Sequence, residues 1–372
     1  MKILLATGIY PPESGGPATY TSGLFVSLKA RGHEVDVLAY GDASLKEDHV
    51  TRVSRAGGAV VRYIRYAWQA FRLAPQADIV YAQGPVSEGF PATVGALLAG
   101  KPLMMKVVGD YAWEMAQQRG EEKLLDEFLD TRHAGVIGFY EWAERWTSRS
   151  ARHVVVPSRY LATVVKRWGV PAPRISTIIN AVEPLPSVGL RSDERQTLGV
   201  ADKVLVLTAV RAVPWKGVAG LIEWWKELPS SHVLVVAGDG PELDHWKKRA
   251  EEYGVSDRVR FLGRIDRMTL ARWYEAADVF VLDSGYEGYP HVVAEAASRG
   301  VPCLVSDRGG NPETRETFPG LVRVLPYRDR QAWVGALQAV TALQPRSIPT
   351  ISWTHDDMVN TTLALLQTYA KP

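Results

Sequence analysis

The sequence predicts an α/β chain of two doubly wound domains, each a parallel sheet covered on both faces by helices. Short apolar runs bounded by turn residues carry the prediction: "KILLATG", "EVDVLAY", "ADIVYAQ", "PLMMKVVG" and "HVVVPS" in the first half, then "KVLVLTAV", "SHVLVVAG", "RVRFLG", "ADVFVLDS", "VPCLVSD" and "LVRVLP" in the second. Runs apolar on both faces that alternate with helical patterns describe buried parallel strands. Between the halves, "RISTIINAVEPLPSVGL" passes from a last strand into a Pro-rich, weakly patterned link. The expected boundaries are 1–180 for the first domain, 193–350 for the second, and 351–372 for a terminal helix. That helix follows from the spacing of Met358, Leu363, Leu366 and Tyr369 in "SWTHDDMVNTTLALLQTYAK", with Ser352 or Thr354 as its start signal.

Composition narrows the class. A chain of 372 residues can bury more than one core. A formal net charge of +2 with 23% charged residues describes neither a polyanion binder nor a disordered tail, so nucleic acid is not an expected partner. The single cysteine, Cys303, lies in an apolar run, allows no internal disulfide, and points to a cytoplasmic setting. "MKILLATGIYPP" reads as a buried strand rather than a signal peptide, because its apolar run is short and ends in two prolines.

The chemistry concentrates in "GYEGYPHVVAEAASRGVP", where Glu287 stands in a turn and Glu295 stands among Val292, Val293, Ala294, Ala296 and Ala297. A poorly solvated carboxylate needs a partner. An internal comparison isolates it. The segment from Ala77 to Pro102 aligns with that from Ala277 to Pro302 if one gap is allowed, and Glu88 then matches Glu287 while Glu295 matches Ala96. An acid before the Gly-aromatic-Pro turn is therefore partly structural, favoured beside a helix N-terminus, whereas packing at the second position is satisfied by alanine. An ionised carboxylate is an acceptor with two oxygens and suits the cis-diol of a ribose or hexose. A buried ion pair with Arg299, four residues on, is the structural alternative.

Other motifs agree. Arg211 and Lys216 lie after the strand "VLVLTA" and before a helix, where two cations beside unpaired N–H groups make a diphosphate site. The pair Gly15-Gly16 opens the first domain's helix with a tight turn that lets backbone approach a phosphate. "GDGPEL" offers Gly238 and Gly240, but Leu243 replaces the third glycine of the dinucleotide fingerprint and the next strand ends without an acid, which disfavours hydride transfer. No DxD triplet and no metal-spaced His/Cys/Asp cluster occurs, so no metal or other cofactor is expected, Arg211 and Lys216 neutralising a leaving diphosphate themselves. No serine or cysteine is arranged with a histidine as an activated nucleophile.

Taken together, "GYEGYPHVVAEAASRGVPCLVSDRGGNPE", "VRAVPWKG", "VVAGDGPE", "FLGRID" and "IINAVE" resemble, in their order and spacing along the chain, the E-x7-E segment and donor loops of retaining GT-B glycosyltransferases of family 4. "YPPESGGPATY" is similar to that family's first glycine loop. The resemblance spans the chain. It implies two Rossmann-like domains facing across a cleft, with the last helix crossing back to the first domain. It implies a nucleotide diphosphate sugar, UDP- or GDP-linked, with Arg211 and Lys216 on the diphosphate, Glu295 on the ribose and Glu287 at the transferred sugar. Gly288, Tyr289, His291 and Val292 would border that sugar and the phosphates, Gly238 would lie in the donor loops, Arg264 and Ile265 would border the base, and closure would bring Gly15 and Gly16 to the donor. Two departures stand out. Tyr289-Pro290-His291 replaces the common Phe-Gly after the first Glu-Gly, and "KVVGDYAWE" replaces a histidine-containing loop. Asp110 in that loop is the candidate for orienting the acceptor hydroxyl or acting as base, with an N-cap as its structural alternative.

The expected reaction is metal-independent retaining transfer of a hexose to a hydroxyl of a glycan, glycolipid or small molecule. A nucleotide-sugar epimerase of the same fold is the alternative within the fold, and a dinucleotide-dependent oxidoreductase the less favoured alternative outside it. "AVVRYIRYAWQAFRLAP" and "FYEWAERWTSRSARH" interleave arginines with aromatic residues, and up to residue 178 there are 21 Lys and Arg against 17 Asp and Glu. Basic and aromatic residues together seat helices at anionic lipid, so peripheral contact of the first domain with the inner face of a membrane is a further expectation.

Overall fold

The computed structural model describes residues 1–13, 15–182, 185–342 and 346–370. It divides into two compact units, one of Met1–Asn180 with the segment from His355, the other Ala181–Thr354.

In the first unit seven strands form one parallel sheet. They are β1 (Lys2–Thr7), β2 (Glu34–Tyr40), β3 (Val50–Val53), β4 (Ile79–Ala82), β5 (Leu103–Lys106), β6 (His153–Val156) and β7 (Ile175–Thr177), in the order β3-β2-β1-β4-β5-β6-β7. The central strands are buried throughout, as in "IVYA" and "LMMK", because helices cover both faces. The chain leaves β1 toward β2 and later steps from β3 to β4 in the opposite direction, so the crevice between β1 and β4 is the switch point where such sheets take ligands. Helix His355–Tyr369 packs on helix Gly16–Ala30: Arg31 donates to Asp356 at 2.7 Å and to Asn360 at 3.1 Å, and Ser27 bonds His355 at 2.9 Å. At its other end Tyr369 stacks on His153 at 4.4 Å, and burial lowers that imidazole to about 4.

The second unit has six strands: β8 (Val204–Ala209), β9 (His232–Ala237), β10 (Val259–Gly263), β11 (Val279–Leu282), β12 (Cys303–Ser306) and β13 (Val322–Leu325). Their order, β10-β9-β8-β11-β12-β13, repeats that of the first sheet, with β8 in the place of β1 and β11 in the place of β4. Beneath its helices Asp278 anchors the amino edge. It takes Arg195 at 2.9 Å, Arg191 at 2.5 Å and the Leu205 N–H at 2.7 Å, so a fully buried carboxylate is both paired and hydrogen-bonded.

Candidate active site

The second unit's site grows from the loops that leave the carboxyl ends of β8 and β11. After β8 the chain turns through Pro214–Lys216 and reaches Gly217 at φ 72°. A Cβ there would lie 1.8 Å from the carbonyl oxygen of Asp283, so only glycine lets this loop touch the end of β11. The Gly285 N–H donates to the Trp215 carbonyl at 2.7 Å and closes the contact. Thus held, Lys216 donates from Nζ to Glu287 Oε1 at 2.5 Å, with both side chains only about 15% exposed.

The Glu287 turn is clamped from its other side. The Gly310 N–H donates to the Glu287 carbonyl at 2.7 Å, and a Cβ on Gly309 would approach Glu287 backbone atoms to 2.6 Å. Asn311 donates to Ser306 Oγ at 2.8 Å, and Ser306 donates to the Ser284 carbonyl at 2.5 Å, so the loop after β12 locks the loop after β11. "RGG" therefore belongs to the site's framework. This framework role was not legible in the sequence, although a Gly-Gly step after a strand marks a tight loop.

Helix His291–Ser298 follows the turn, with His291 exposed, Val292 half-buried and Gly288 and Tyr289 buried. Tyr289 bonds Thr317 through its hydroxyl at 3.3 Å. Glu295, half-buried, accepts the Tyr274 hydroxyl at 3.1 Å. Burial raises Tyr274 well above the ordinary tyrosine value, and the neighbouring Glu295 charge adds to this. Arg299 pairs instead with Glu275, at 3.2 Å, so the alternative of a Glu295–Arg299 bridge is not what forms.

Arg211 stands exposed in the same loop as Lys216. Its backbone is fixed by the loop after β9: Ala212 N–H donates to the Asp239 carbonyl at 2.9 Å, and Gly238 lies so close that a Cβ would meet the Val210 carbonyl at 1.8 Å. Arg264 is exposed and Ile265 half-buried just beyond β10. Arg211, Lys216, Gly238, Arg264, Ile265, Glu287, Gly288, Tyr289, His291, Val292 and Glu295 thus all follow the carboxyl ends of strands in one sheet or begin its next helix. Buried Asp283 lies under Gly217, its carboxyl pushed up to about 7 by burial while accepting the Arg328 N–H at 3.1 Å.

The remaining candidates lie in the first unit. Gly15 and Gly16 are exposed at the start of helix Gly16–Ala30, and the space beside Gly16 is open. Asp110 is buried and caps helix Tyr111–Gln117, accepting the Trp113 N–H at 2.8 Å. Glu144, unforeseen because it sits inside an aromatic and basic helix, accepts the Tyr111 N–H of the same helix start at 2.5 Å. Burial pushes Asp110 up to about 7, and burial followed by the Asp110 charge raises Glu144 well above the carboxylate range. At the switch point Glu88 is buried against Gly8 and Gly84 and bonds Ser87, in the place Glu287 holds in the second sheet.

Comparison with known proteins matches both units of the chain. The glycosyl transferase 4-like domain matches residues 15–181, and the glycosyl transferases group 1 family matches residues 191–340. Each unit is thus matched by its own glycosyltransferase domain model, and the fold is the GT-B fold. An uncharacterised glycosyltransferase of Methanocaldococcus jannaschii is 25% identical over 97% of this chain and 89% of its own. A GDP-mannose-dependent α-(1-6)-phosphatidylinositol monomannoside mannosyltransferase of Mycolicibacterium smegmatis is 24% identical over 84% of this chain and 82% of its own. In fold, the chain is similar to Anabaena HepE solved with UDP and glucose, with a TM-score of 0.71 and 19% identity over 99% of this chain and 91% of the other.

Proposed function

We propose that the enzyme transfers a hexose, with retention of anomeric configuration and without a metal ion, from a UDP- or GDP-sugar to an acceptor hydroxyl. The observation that carries this is the Lys216–Glu287 pair at the carboxyl edge of β8 and β11, with Arg211 in the same loop and Glu295 one helix turn beyond. In the free enzyme Glu287 holds the ammonium in place. A donor diphosphate takes Lys216 and Arg211 as counter-ions and releases Glu287 toward the sugar hydroxyls, while Glu295 accepts from the ribose. As the anomeric C–O bond to phosphate breaks, the acceptor oxygen bonds to the same face of that carbon, and its proton passes to the departing phosphate oxygen. No protein nucleophile is needed. The mannosyltransferase relative's acceptor is a lipid, which favours a lipid-linked acceptor here. Asp110 Oδ1 caps its own buried helix start, and the transfer proposed here uses the departing phosphate oxygen rather than Asp110 as the base. A thermal-shift panel of UDP-, GDP- and ADP-sugars followed by mass spectrometry with and without acceptors tests the reading, with the product anomer assigned by NMR. Stabilisation by UDP- or GDP-sugars and an α-linked product from an α-donor are expected; an inverted product, or epimerised sugar without acceptor, contradicts it.

A further inference from the structure

Nine of the fifteen exposed large apolar side chains among the described residues lie on three helices of the first unit, which makes this face unlike the rest of the surface. Helices Gly58–Leu73 and Gly89–Leu98 lead from β3 to β4 and from β4 to β5, and helix Gly135–Ser150 leads into β6. All three steps cross the sheet in one direction, and right-handed crossovers lay them side by side on one face. They meet around Phe90, whose ring lies 6.2 Å from Tyr63, 5.8 Å from Phe139 and 5.7 Å from Trp142. Outward stand Val60, Ile64, Trp68, Leu98, Phe139 and Trp142, with Leu98 71%, Trp68 57% and Trp142 50% exposed.

The charges on these helices are sorted. Arg65, Arg72 and Arg149 are exposed and Arg62 and Arg145 half-buried, whereas the only acids, Glu141 and Glu144, are buried. Every exposed charge on these three helices is therefore positive. Trp142 and Arg149 also line a cleft of about 1120 Å³ with Arg132, Arg145, Glu141 and Asp130, the last exposed and paired with Arg167; Arg145 Nε is buried there without a partner while its Nη2 lies 3.7 Å from Glu141.

We propose that this face docks on an anionic lipid bilayer, the aromatic and aliphatic side chains entering the interface and the arginines binding lipid phosphates. The chemistry selects this occupant: a second copy would set like charges against each other, while lipid phosphates complement the arginines and acyl chains take the apolar groups. It deepens the reading of a lipid-linked acceptor and rests on it for its purpose, but not for its test.

The test is co-sedimentation of the full chain, without donor or acceptor, with vesicles of phosphatidylcholine alone or mixed with phosphatidylglycerol, alongside tryptophan fluorescence. Binding to mixed vesicles at least about tenfold stronger than to neutral ones, weakened by salt and blue-shifting the emission, is expected. The double variants Trp68→Ser/Trp142→Ser and Arg65→Glu/Arg149→Glu lose it with unchanged circular dichroism. Val26→Ser, exposed on the opposite face, keeps it. Absence of binding to anionic vesicles at low salt, binding that both double variants retain, or a dimer abolished by the tryptophan variant without vesicle binding overturns the proposal. Because no turnover is read, failure of the donor assignment leaves this result unaffected.

Discussion

Lys216 is the residue on which the chemistry turns. Replacement by alanine removes the ammonium that Glu287 holds, so kcat falls by roughly 10²–10³, as when a preorganised charge partner is lost, while the melting temperature moves little. Steady-state rates and a thermal melt on Lys216→Ala check this. Glu295→Ala acts differently: donor Kd rises by about tenfold, the value of one charge-assisted hydrogen bond, without loss of fold, since alanine fills the matching place at Ala96. Calorimetry with UDP- and GDP-sugars reads it. Asp110 gives a pH signature. Burial raises its folded carboxyl above the unfolded value, so the folded state holds the extra proton in between and stability falls as pH rises through that window. Asp110→Asn keeps the cap and removes the buried charge. The variant should match the parent near pH 5 and exceed it at pH 8 by on the order of 1 kcal/mol, roughly 2–4 °C; melts across that range that stay parallel contradict the assignment. Glu295 was legible because an acid among small apolar residues breaks the pattern. The Lys216–Glu287 pair was not, because the residues are 71 positions apart and only strand order brings β8 beside β11.

Strands announced themselves, since runs such as "HVLVVA" and "VLVLTA" are apolar at every position and buried at every position. The helices were legible as periodic segments, but their packing partners were not. Gly95 shows why: a Cβ there would lie 2.6 Å from Ala70 Cβ and 2.7 Å from the Ala67 carbonyl, so helices Gly58–Leu73 and Gly89–Leu98 touch through bare backbone. Gly95→Ala should force them apart and cost about 1–3 kcal/mol, the usual penalty of overpacking. A denaturation midpoint unchanged from the parent would show that the helices yield freely. The same logic hid the loop framework, because the roles of Gly217 and Gly309 depend on the backbone each one meets, Asp283 and Glu287, rather than on its own neighbours in sequence.

At the scale of the molecule, two sheets of the same strand order place an acid after corresponding strands, Glu88 after β4 and Glu287 after β11. Only in the second sheet does that acid hold a lysine, and only there does a second carboxylate follow on the helix. On the reading proposed above, that asymmetry favours the second unit for the activated sugar and the first for the acceptor. The proposed metal-independent transfer predicts that chelator leaves the rate unchanged within about twofold, whereas a loss restored by magnesium would show that Arg211 and Lys216 do not suffice. The most direct measurement is a crystal structure of the enzyme soaked with a UDP- or GDP-sugar. Density for the diphosphate within hydrogen-bonding reach of Lys216 and Arg211, with the ribose on Glu295, is the result expected. Sugar nucleotide bound elsewhere, with the Lys216–Glu287 pair intact, would contradict the account.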